Sequence, residues 1–324
     1  MEYPNFKVLV RCYTFNQIKY ISETLDGFCI QQTNFPFICC VVDDASTDGE
    51  PELIKQYLDK YFAMTDAKCY ETEDYCMTYA RHKNNKNCFF AVYYLKYNHY
   101  RKKAKYPYLY DFRNKCKYEA LCEGDDYWIS DSKLQKQYDA LENNPECSLC
   151  VHPYFKLING QLEKVDTYQD SSFIFGKKEW TCHWLTQPLT CFYRLDAFPT
   201  AEERGKYKNY MDNHLFYLIL SKGKGYNIGD YMGVYRISGE GTWTSQDRLC
   251  RYKSDVFSYR ELFENHREDV FLKRKLISVY STYIYVSIKN HKKYNKLPLR
   301  LIGLKGSAIA AIKVIKKLIF GLSY

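Results

Sequence analysis

Residues 37–49 read Phe-Ile-Cys-Cys-Val-Val-Asp-Asp-Ala-Ser-Thr-Asp-Gly. The first six residues are apolar and β-branched in part, which is typical of a buried strand. A helical pattern follows, in which Leu53, Ile54, Tyr57 and Leu58 recur on one side. Strands that alternate with helices form parallel sheets, whose carboxyl ends bind ligands. We therefore expect Asp43 and Asp44 at a ligand-binding edge.

The preceding segment has the same order of elements. Residues 7–11 are predicted as a strand and residues 14–17 as a turn, and Ile18, Ile21 and Leu25 then recur at helical spacing. The sequence thus predicts an α/β fold with a mostly parallel central sheet and helices on both faces. Thr14 should lie on the same edge as the two aspartates.

A second acidic cluster, Glu123-Gly124-Asp125-Asp126-Tyr127-Trp128, follows the apolar run 120–122. Carboxylates packed this closely repel one another unless a cation or strong donors face them. Mg²⁺ and similar ions bind carboxylate oxygens and keep positions open for phosphate. The two clusters together therefore indicate a site for a nucleotide and a metal ion. A solvated turn is the alternative for the second cluster, and a helix N-cap is the alternative for the first.

Several classes of function are disfavoured. The chain has no GxxxxGK[ST] and no GxGxxG, so neither a P-loop kinase nor a dinucleotide-binding dehydrogenase is indicated. The first 269 residues hold 35 basic and 38 acidic residues, and no zinc-finger or RRM signature is present. We therefore expect no nucleic-acid partner.

The order of these motifs resembles the family 2 glycosyltransferases, which have a GT-A (Rossmann-like) fold. The resemblance rests on residues 14–17, 41–49 and 121–128. It continues through three further segments, residues 133–137, 211–216 and 232–243. It covers about residues 5 to 245, and the relatives it suggests are bacterial transferases that build cell-surface polysaccharides.

The resemblance implies roles for individual residues. Thr14, Asp43 and Asp44 match positions that bind the nucleotide of a nucleotide diphosphate sugar, with a UDP-sugar as the first candidate. Glu123 and Asp125 stand where the family has DxD; Glu123 would face the ribose and Asp125 would bind Mn²⁺ or Mg²⁺. Four further positions match less specific parts of the motifs: Asp126, Arg236, Ser238 and Trp243. Ser238 replaces a histidine found in many relatives, and serine is a poorer metal ligand.

Asp212 matches the acidic residue that serves as the base in the family. A base on the attacking side and a metal on the leaving side would give a single displacement with inversion, onto a hydroxyl of a glycan or lipid-linked acceptor. The alternative for Asp212 is a helix N-cap, and the two roles are compatible. Two other functions stay open. One is an inactive, transferase-like binding subunit of a polysaccharide assembly. The other is a nucleotidyltransferase, although residues 14–17 form no Gly-rich phosphate loop.

The chain is expected to divide into a GT-A domain at 1–245, a helical extension at 246–297 and a basic amphipathic tail at 298–324. Within the first domain, residues 1–126 would form the nucleotide-sugar half and 127–245 the acceptor half. Residues 66–88 are polar and without clear periodicity, and we expect an insertion there. The run at residues 98–103 is expected to be a solvated loop, unless a basic side chain meets the donor diphosphate.

After Asp269 the chain has 12 Lys and Arg and no acidic residue. Within that segment an apolar stripe recurs at three and four from Leu301 to Leu322, interrupted by lysines. We expect this tail to lie on an anionic membrane surface rather than to span it. The alternative is a helix packed on the domain or on a partner. No signal peptide precedes Tyr3, so a cytoplasmic protein on the inner face of the cell membrane is expected.

Overall fold

The structure is a computed structural model, and it describes residues 3–100, 102–165, 169–183, 185–239, 246–293 and 299–320. The strands are β1 (Val8–Thr14), β2 (Phe37–Asp43), β3 (Lys68–Glu71), β4 (Tyr75–Arg81), β5 (Cys88–Leu95), β6 (Tyr118–Leu121), β7 (Tyr127–Trp128), β8 (Cys147–Val151), β9 (Phe155–Ile158), β10 (Gln161–Lys164), β11 (Phe173–Phe175), β12 (Phe192–Arg194), β13 (Lys224–Asn227) and β14 (Gly233–Ile237).

The α-helices are α1 (Ile21–Cys29), α2 (Glu50–Tyr61), α3 (Tyr110–Arg113), α4 (Lys133–Asn143), α5 (Lys177–Cys182), α6 (Ala201–Gly205), α7 (Asp212–Ile219), α8 (Arg248–Asn265), α9 (Val270–Lys289) and α10 (Leu299–Phe320). Short 3-10 turns lie at Met64–Asp66, Tyr106–Leu109, Pro188–Thr190 and Leu195–Ala197.

Two compact units make up the chain. The first comprises Met1–Gly176, Leu185–Phe198 and Lys222–Ile237. The second comprises Lys177–Trp184, Pro199–Ser221 and Ser238–Tyr324. The boundaries predicted at 245/246 and 297/298 involve residues outside the described ranges, and the division into 1–245, 246–297 and 298–324 stays a prediction.

The first unit is built on a mixed sheet with a parallel centre. Among the described residues its strand order is β11-β13-β8-β12-β6-β1-β2-β5-β4-β3. The four central strands, β6, β1, β2 and β5, are parallel, and most of the outer pairs are antiparallel. The predicted parallel centre is therefore confirmed.

Both faces of this sheet are buried, which explains why its central strands are apolar throughout. On one face, alternate residues such as Val10 and Val41 pack under α1, α2 and α4 through Leu25, Ile54 and Leu134. On the other face, a second cluster that includes Leu9 and Ile38 packs under the turn Tyr106–Leu109 and α3. These two clusters hold the strand ends in register.

The segment at 66–88 differs from the sequence-based expectation. It contains the antiparallel hairpin β3–β4, which extends the sheet at its edge beside β5. Strand β3 is half-buried at its first residue and exposed at the other three. It therefore carries no apolar pattern from which a strand could be recognised.

A smaller sheet in the first unit has the order β10-β9-β14-β7. Strand β7 follows the acidic turn at 123–126 directly, and it pairs with β14 through Tyr127 and Val234. Helix α1 approaches β7 so closely that a side chain at Gly27 would meet the backbone of Trp128 at 2.8 Å. The acidic turn is thus held by the small sheet and α1 together.

The described part of the second unit is helical. Asp247 caps α8 by accepting from the Cys250 N–H at 2.9 Å, and Asp269 caps α9 by accepting from the N–H groups of Phe271 and Leu272 at 2.9 and 3.0 Å. The helices predicted over 250–290 are confirmed, and the caps explain why the chain turns between them.

Helix α10 has two sides of different character. Ile302, Gly306, Ala310 and Val314 recur every four residues and are buried in the second unit. The opposite side exposes Ile312 and Ile315 by 53% and 54%, beside exposed Lys305 and Lys316. The predicted stripe is therefore divided: Leu301 is buried, whereas Ala308, Ile312 and Ile315 are exposed.

Other members of the stripe lie outside what is described, namely Leu322 and the side chains of Leu304 and Ile319. In the ranges that are described, no helix combines the length and apolar character required to cross a membrane.

Candidate functional site

Three neighbouring parallel strands of the first unit end at the candidate site. Thr14, the last residue of β1, pairs in register with Asp43, the last residue of β2, and the Asp44 N–H donates to the Thr14 carbonyl at 3.0 Å. Strand β6 lies on the other side of β1, and the Gly124 N–H that follows it donates to the Tyr13 carbonyl at 3.0 Å. The strand ends converge as the sequence predicted.

The loops after β1 and β2 are tied together by Glu50, the first residue of α2. Its buried carboxylate accepts from the Thr14 hydroxyl, from the Gln17 N–H at 2.8 Å and from the Ser46 hydroxyl at 2.9 Å. Burial raises the pKa of this carboxyl, and these hydrogen bonds oppose that effect. Glu50 therefore fixes the geometry of the edge.

Backbone conformation at this edge is unusual. Gly49 has a φ of 93° directly before α2, a value that glycine adopts at little cost. Ala45 and Asn16 have φ of 59° and 53°, which is uncommon for residues with a side chain. Such conformations cluster at functional sites, and surrounding contacts hold them.

Asp43 is buried at 1% exposure with one oxygen free to accept. Its Oδ2 accepts weakly from the Ser46 N–H at 3.3 Å, whereas its buried Oδ1 has no hydrogen-bond partner within the described residues. Burial, opposed by hydrogen bonds from Ser46, raises the pKa of this carboxyl to about 6. An unpartnered buried oxygen is costly, so this position gains from a ligand that donates to it.

Asp44 differs from its neighbour because both of its oxygens are engaged. The His99 N–H donates to Oδ1 at 2.7 Å and the Lys105 ammonium donates to Oδ2 at 2.8 Å. The Asn98 side chain also donates to the Asp44 carbonyl at 3.0 Å. Asp44 thus anchors the basic segment at 98–105, whose Lys103 bonds to Asp74 at 2.6 Å.

The acidic turn is held by groups distant in sequence. A side chain at Gly124 would overlap the side chains of Thr14 and Gln17, so only glycine fits between the acids. The buried Thr24 hydroxyl lies 2.9 Å from the Gly124 carbonyl and 2.7 Å from the Asp126 carbonyl. The turn therefore has one rigid conformation.

Arg236 of β14 completes the support of this turn. Its backbone N–H donates to Asp126 Oδ1 at 2.9 Å, and its Nε donates to the Asp125 carbonyl at 2.9 Å. Its guanidinium also pairs with Glu23 and lies 4.5 Å from the ring centroid of Tyr20. Asp126 is thus a buried structural acid, and Arg236 a support of the turn.

Asp125 and Glu123 are half-buried, unlike the fully buried Asp126 between them and β7. Burial raises the pKa of Asp125, while Arg236 and a hydrogen bond from Gln17 oppose it. Burial and the neighbouring Asp125 raise the pKa of Asp126 well above its ordinary value. Burial therefore disfavours the ionised form of these two carboxyls, and a cation bound at the turn would offset that penalty.

Within the described ranges, no group of three or more His, Cys, Asp or Glu side chains is arranged to hold a metal ion. Mg²⁺ and related ions, however, often take one or two carboxylates and complete their shell with waters and substrate phosphates. The half-buried Asp125, with Glu123 nearby in the turn, fits a metal of this substrate-dependent kind.

The remaining predicted residues belong to the second unit. Asp212 is exposed and is the first residue of α7. The N-cap position is Met211, so the alternative of Asp212 as the N-cap is wrong, and Asp212 lies in the first turn of the helix. Ser238 follows β14 directly. Trp243 lies outside the described residues.

Comparison with known proteins agrees with the motifs. Residues 12–93, which carry the ends of β1 and β2, match the family model "Glycosyl transferase family 2". The resemblance to family 2 glycosyltransferases is confirmed. An uncharacterized protein of Mycobacterium tuberculosis (strain H37Rv) is 34% identical over 140 residues, or 43% of this chain and 33% of that protein. An uncharacterized protein of Mycobacterium bovis matches to the same extent. The chain thus spans about a third of the length of the curated relatives it matches.

Solved structures confirm the predicted GT-A fold. S. aureus TarS in complex with UDP-GlcNAc has a TM-score of 0.55 at 16% identity, over 98% of this chain and 93% of that one. TarS in complex with UDP has a TM-score of 0.54 at 15% identity, with the same coverage. The mannosyltransferase PcManGT from Pyrobaculum calidifontis, in complex with GDP-Man and Mn²⁺, has a TM-score of 0.50 at 13% identity, over 100% and 89%.

Two residues of the site were missed by sequence reasoning. These are Glu50, the first residue of α2, and Thr24, which lies within α1. Both are fully buried polar residues, and burial of a polar side chain cannot be recognised from spacing alone. The signal available for Glu50 was its position at the N-terminus of a helix that follows an Asp-rich loop.

Proposed function

We propose that this chain is an inverting glycosyltransferase that moves a sugar from a nucleotide diphosphate sugar to a hydroxyl group. The observation that carries the proposal is the convergence of Thr14, Asp43, Glu123 and Asp125 at one edge of a sheet whose β1 and β2 ends match the family 2 model. The acceptor is a glycan or a lipid-linked sugar, and the pathway is synthesis of a surface polysaccharide.

Asp43 is the main residue that binds the nucleotide. Its unpartnered Oδ1 can accept from a base N–H or a ribose hydroxyl, and such a bond removes the cost of a buried orphan acceptor. Asp44 contributes indirectly, because its oxygens already hold Lys105 and the His99 backbone. A UDP-sugar is the first candidate, and the complexes of TarS with UDP and UDP-GlcNAc support it.

Asp125 would hold Mn²⁺ or Mg²⁺, and Glu123 would face the ribose. The ion would supply a Lewis acid that neutralises the charge developing on the leaving diphosphate. Arg236 keeps the Asp125 carbonyl in place, and Thr24 and Gly124 give the turn a single shape. The complex of PcManGT with Mn²⁺ supports a metal ion of this type.

Asp212 accepts the proton of the attacking hydroxyl. It is exposed in the first turn of α7, near the positive end of the helix dipole, where a negative charge is stabilised. An ionised carboxylate is the form that a general base needs. Attack assisted by a base, with departure of the diphosphate, inverts the anomeric carbon.

The proposal includes binding to an anionic membrane surface, on the inner face of the cell membrane, and the exposed side of α10 supports it. Ile312 and Ile315 would enter the headgroup boundary, and Lys305 and Lys316 would contact anionic lipids. An enzyme that uses a lipid-linked acceptor gains from this location because the acceptor is confined to the same surface.

The alternative is an inactive binding subunit, which Ser238 and Glu123 favour because they depart from the family pattern. A screen of UDP-glucose, UDP-GlcNAc and GDP-mannose hydrolysis with Mn²⁺ separates the two. An enzyme should release nucleotide from at least one donor, and D125A should not. D230A is the matched control, since Asp230 is an exposed acid of the same unit that pairs with Lys136. Nucleotide binding without release from any donor in the parent would favour the binding subunit.

A further inference from the structure

The chain before α7 is held by a buried histidine that the proposed mechanism does not use. His214 is fully buried, and its Nδ1 lies 3.0 Å from the backbone N of Met211, the residue immediately before Asp212. The Met211 N–H donates in this bond, because a backbone N–H cannot accept. His214 Nδ1 is therefore an acceptor, and a neutral ring carries its proton on Nε2.

This bond closes the first turn of α7 from both directions. The N–H groups of His214 and Leu215 donate to the Met211 carbonyl at 2.9 and 3.1 Å, while the His214 ring accepts from the Met211 N–H. A Glu or Gln at this position makes the same return bond in an ordinary capping box. A rigid ring in that role fixes the turn more tightly than a flexible side chain would.

The ring is itself held by aromatic and acidic neighbours. Tyr207 and Tyr210 lie against it, with centroid distances of 4.5 and 5.9 Å. Glu261 of α8 places its Oε2 3.7 Å from His214 Nε2, and its Oε1 accepts from the Lys208 N–H at 3.1 Å. Tyr259, also of α8, has its hydroxyl 3.5 Å from Asn213 Oδ1. Helix α8 thus supports the whole segment from 208 to 214.

We propose that His214 is a positioning residue for Asp212. It acts by fixing the backbone of Met211, the residue before Asp212: Nδ1 accepts from the N–H of the Tyr210–Met211 peptide, while the ring is packed between tyrosines and faces Glu261. The inference rests on the proposed function, because it requires Asp212 to be the base. Burial lowers the pKa of His214 to about 4, so at neutral pH the ring is uncharged and Nδ1 stays available as an acceptor.

The position of the carboxylate matters because a displacement of about 1 Å can reduce a rate by about 100-fold. Two substitutions separate the acceptor atom from the ring. H214F keeps an aromatic ring against Tyr207 and Tyr210 but removes the acceptor. H214N loses the ring but keeps an oxygen two bonds from Cβ, where Nδ1 stands.

Turnover of the nucleotide sugar that the parent hydrolyses fastest, among UDP-GlcNAc, UDP-glucose and GDP-mannose, is measured with Mn²⁺ for each variant. We expect H214F to lower kcat about tenfold or more with the donor KM nearly unchanged, and H214N to recover most of that loss. Equal losses in the two variants, or full activity in H214F, would overturn the proposal. Hydrogen exchange of the Met211 amide in the full chain should be faster in H214F than in the parent, and slower in H214N than in H214F. An exchange rate that is the same in all three proteins would also overturn the proposal.

A double variant distinguishes this inference from the proposed function. In a D212N background H214F should cause little further loss, because its effect passes through Asp212. If H214F lowers the rate as much in the D212N background as it does in the parent, His214 has a general structural role. If D212N alone keeps the parent rate, the assignment of the base fails, whatever H214F does.

Discussion

The two units of this protein differ in how they place the acids that we propose as functional. In the first unit, Asp43 ends one of the two strands that pair with β1 and Asp125 follows the other, so the sheet itself brings them together. In the second unit, Asp212 lies on a short helix and depends on contacts from α8, some fifty residues later in the chain. A parallel sheet thus makes a site that spacing can predict, whereas a helical unit makes one that depends on side-chain packing.

The largest effect is expected from the first unit. D125A should abolish transfer and donor hydrolysis while the fold is kept, since the charge of the leaving diphosphate would be uncompensated. Product release is measured by chromatography and folding by circular dichroism, with D230A as the control. Residual activity within tenfold of the parent would place the metal-binding role elsewhere.

The second unit is tested by D212N, which keeps the size of the side chain but cannot accept a proton. We expect transfer to fall by at least about 100-fold with donor affinity nearly unchanged. E202Q is the control, because Glu202 is another exposed acid of the second unit in the first turn of a helix. A rate within a few-fold of the parent would make Asp212 a structural residue.

The surface of the second unit is tested with vesicles of anionic and neutral phospholipid. The double substitution I312S/I315S removes apolar groups from the exposed side of α10 without touching its buried side. Binding to anionic vesicles should weaken about tenfold or more, and salt should weaken binding of the parent. V270S is the control, since Val270 is 57% exposed in the same unit. If the double variant co-sediments with the vesicles as the parent does, this side of α10 would be a surface for a protein partner and not for the membrane.

The smallest effect concerns the stability of the first unit. Lys133 is fully buried, donates to Gln137 Oε1 at 2.6 Å and lies 3.9 Å from the ring centroid of Trp128. Burial lowers its pKa to about 7. The unfolded chain therefore binds this proton more strongly than the folded protein does. Because of this difference, the free energy of unfolding of the parent increases as the pH rises from about 7 to 10.5.

K133M lacks this dependence and should be more stable than the parent at pH 7. Its advantage should shrink with rising pH by up to about 1.4 kcal/mol per pH unit. Urea unfolding of both proteins at pH 7, 8 and 9 measures the difference. An advantage that is constant over this range would show that Lys133 is charged throughout.

The sequence predicted some elements of the structure and not others, and the difference depends on the apolar pattern of each element. The strand ends at Thr14 and Asp43 and the acidic turn were recognisable because apolar runs end abruptly in polar residues. The hairpin β3–β4 was not, because an edge strand is largely exposed and shows no period. In α10 the sequence indicated one apolar stripe, but packing buries the row Ile302, Gly306, Ala310 and Val314 and exposes much of the predicted stripe.

Within the site, residue type and order predicted which acids converge, but not what each one contacts. Asp43 and Asp44 are adjacent and chemically identical, yet one has an unpartnered oxygen and the other is bound by Lys105 and His99. Glu50 and Thr24 hold the loops from helices on one side of the sheet. Contacts between residues far apart in sequence decide these roles, and local patterns carry no record of them.

The central claim is that the acidic edge of the first unit binds a nucleotide diphosphate together with a metal ion. Calorimetric titration of UDP into the parent and D125A, with and without Mn²⁺, tests it directly. Mn²⁺ should increase the affinity of the parent for UDP about tenfold or more, and D125A should bind UDP equally well with or without the ion. Metal-assisted binding that persists unchanged in D125A, or is absent in the parent, would contradict the claim.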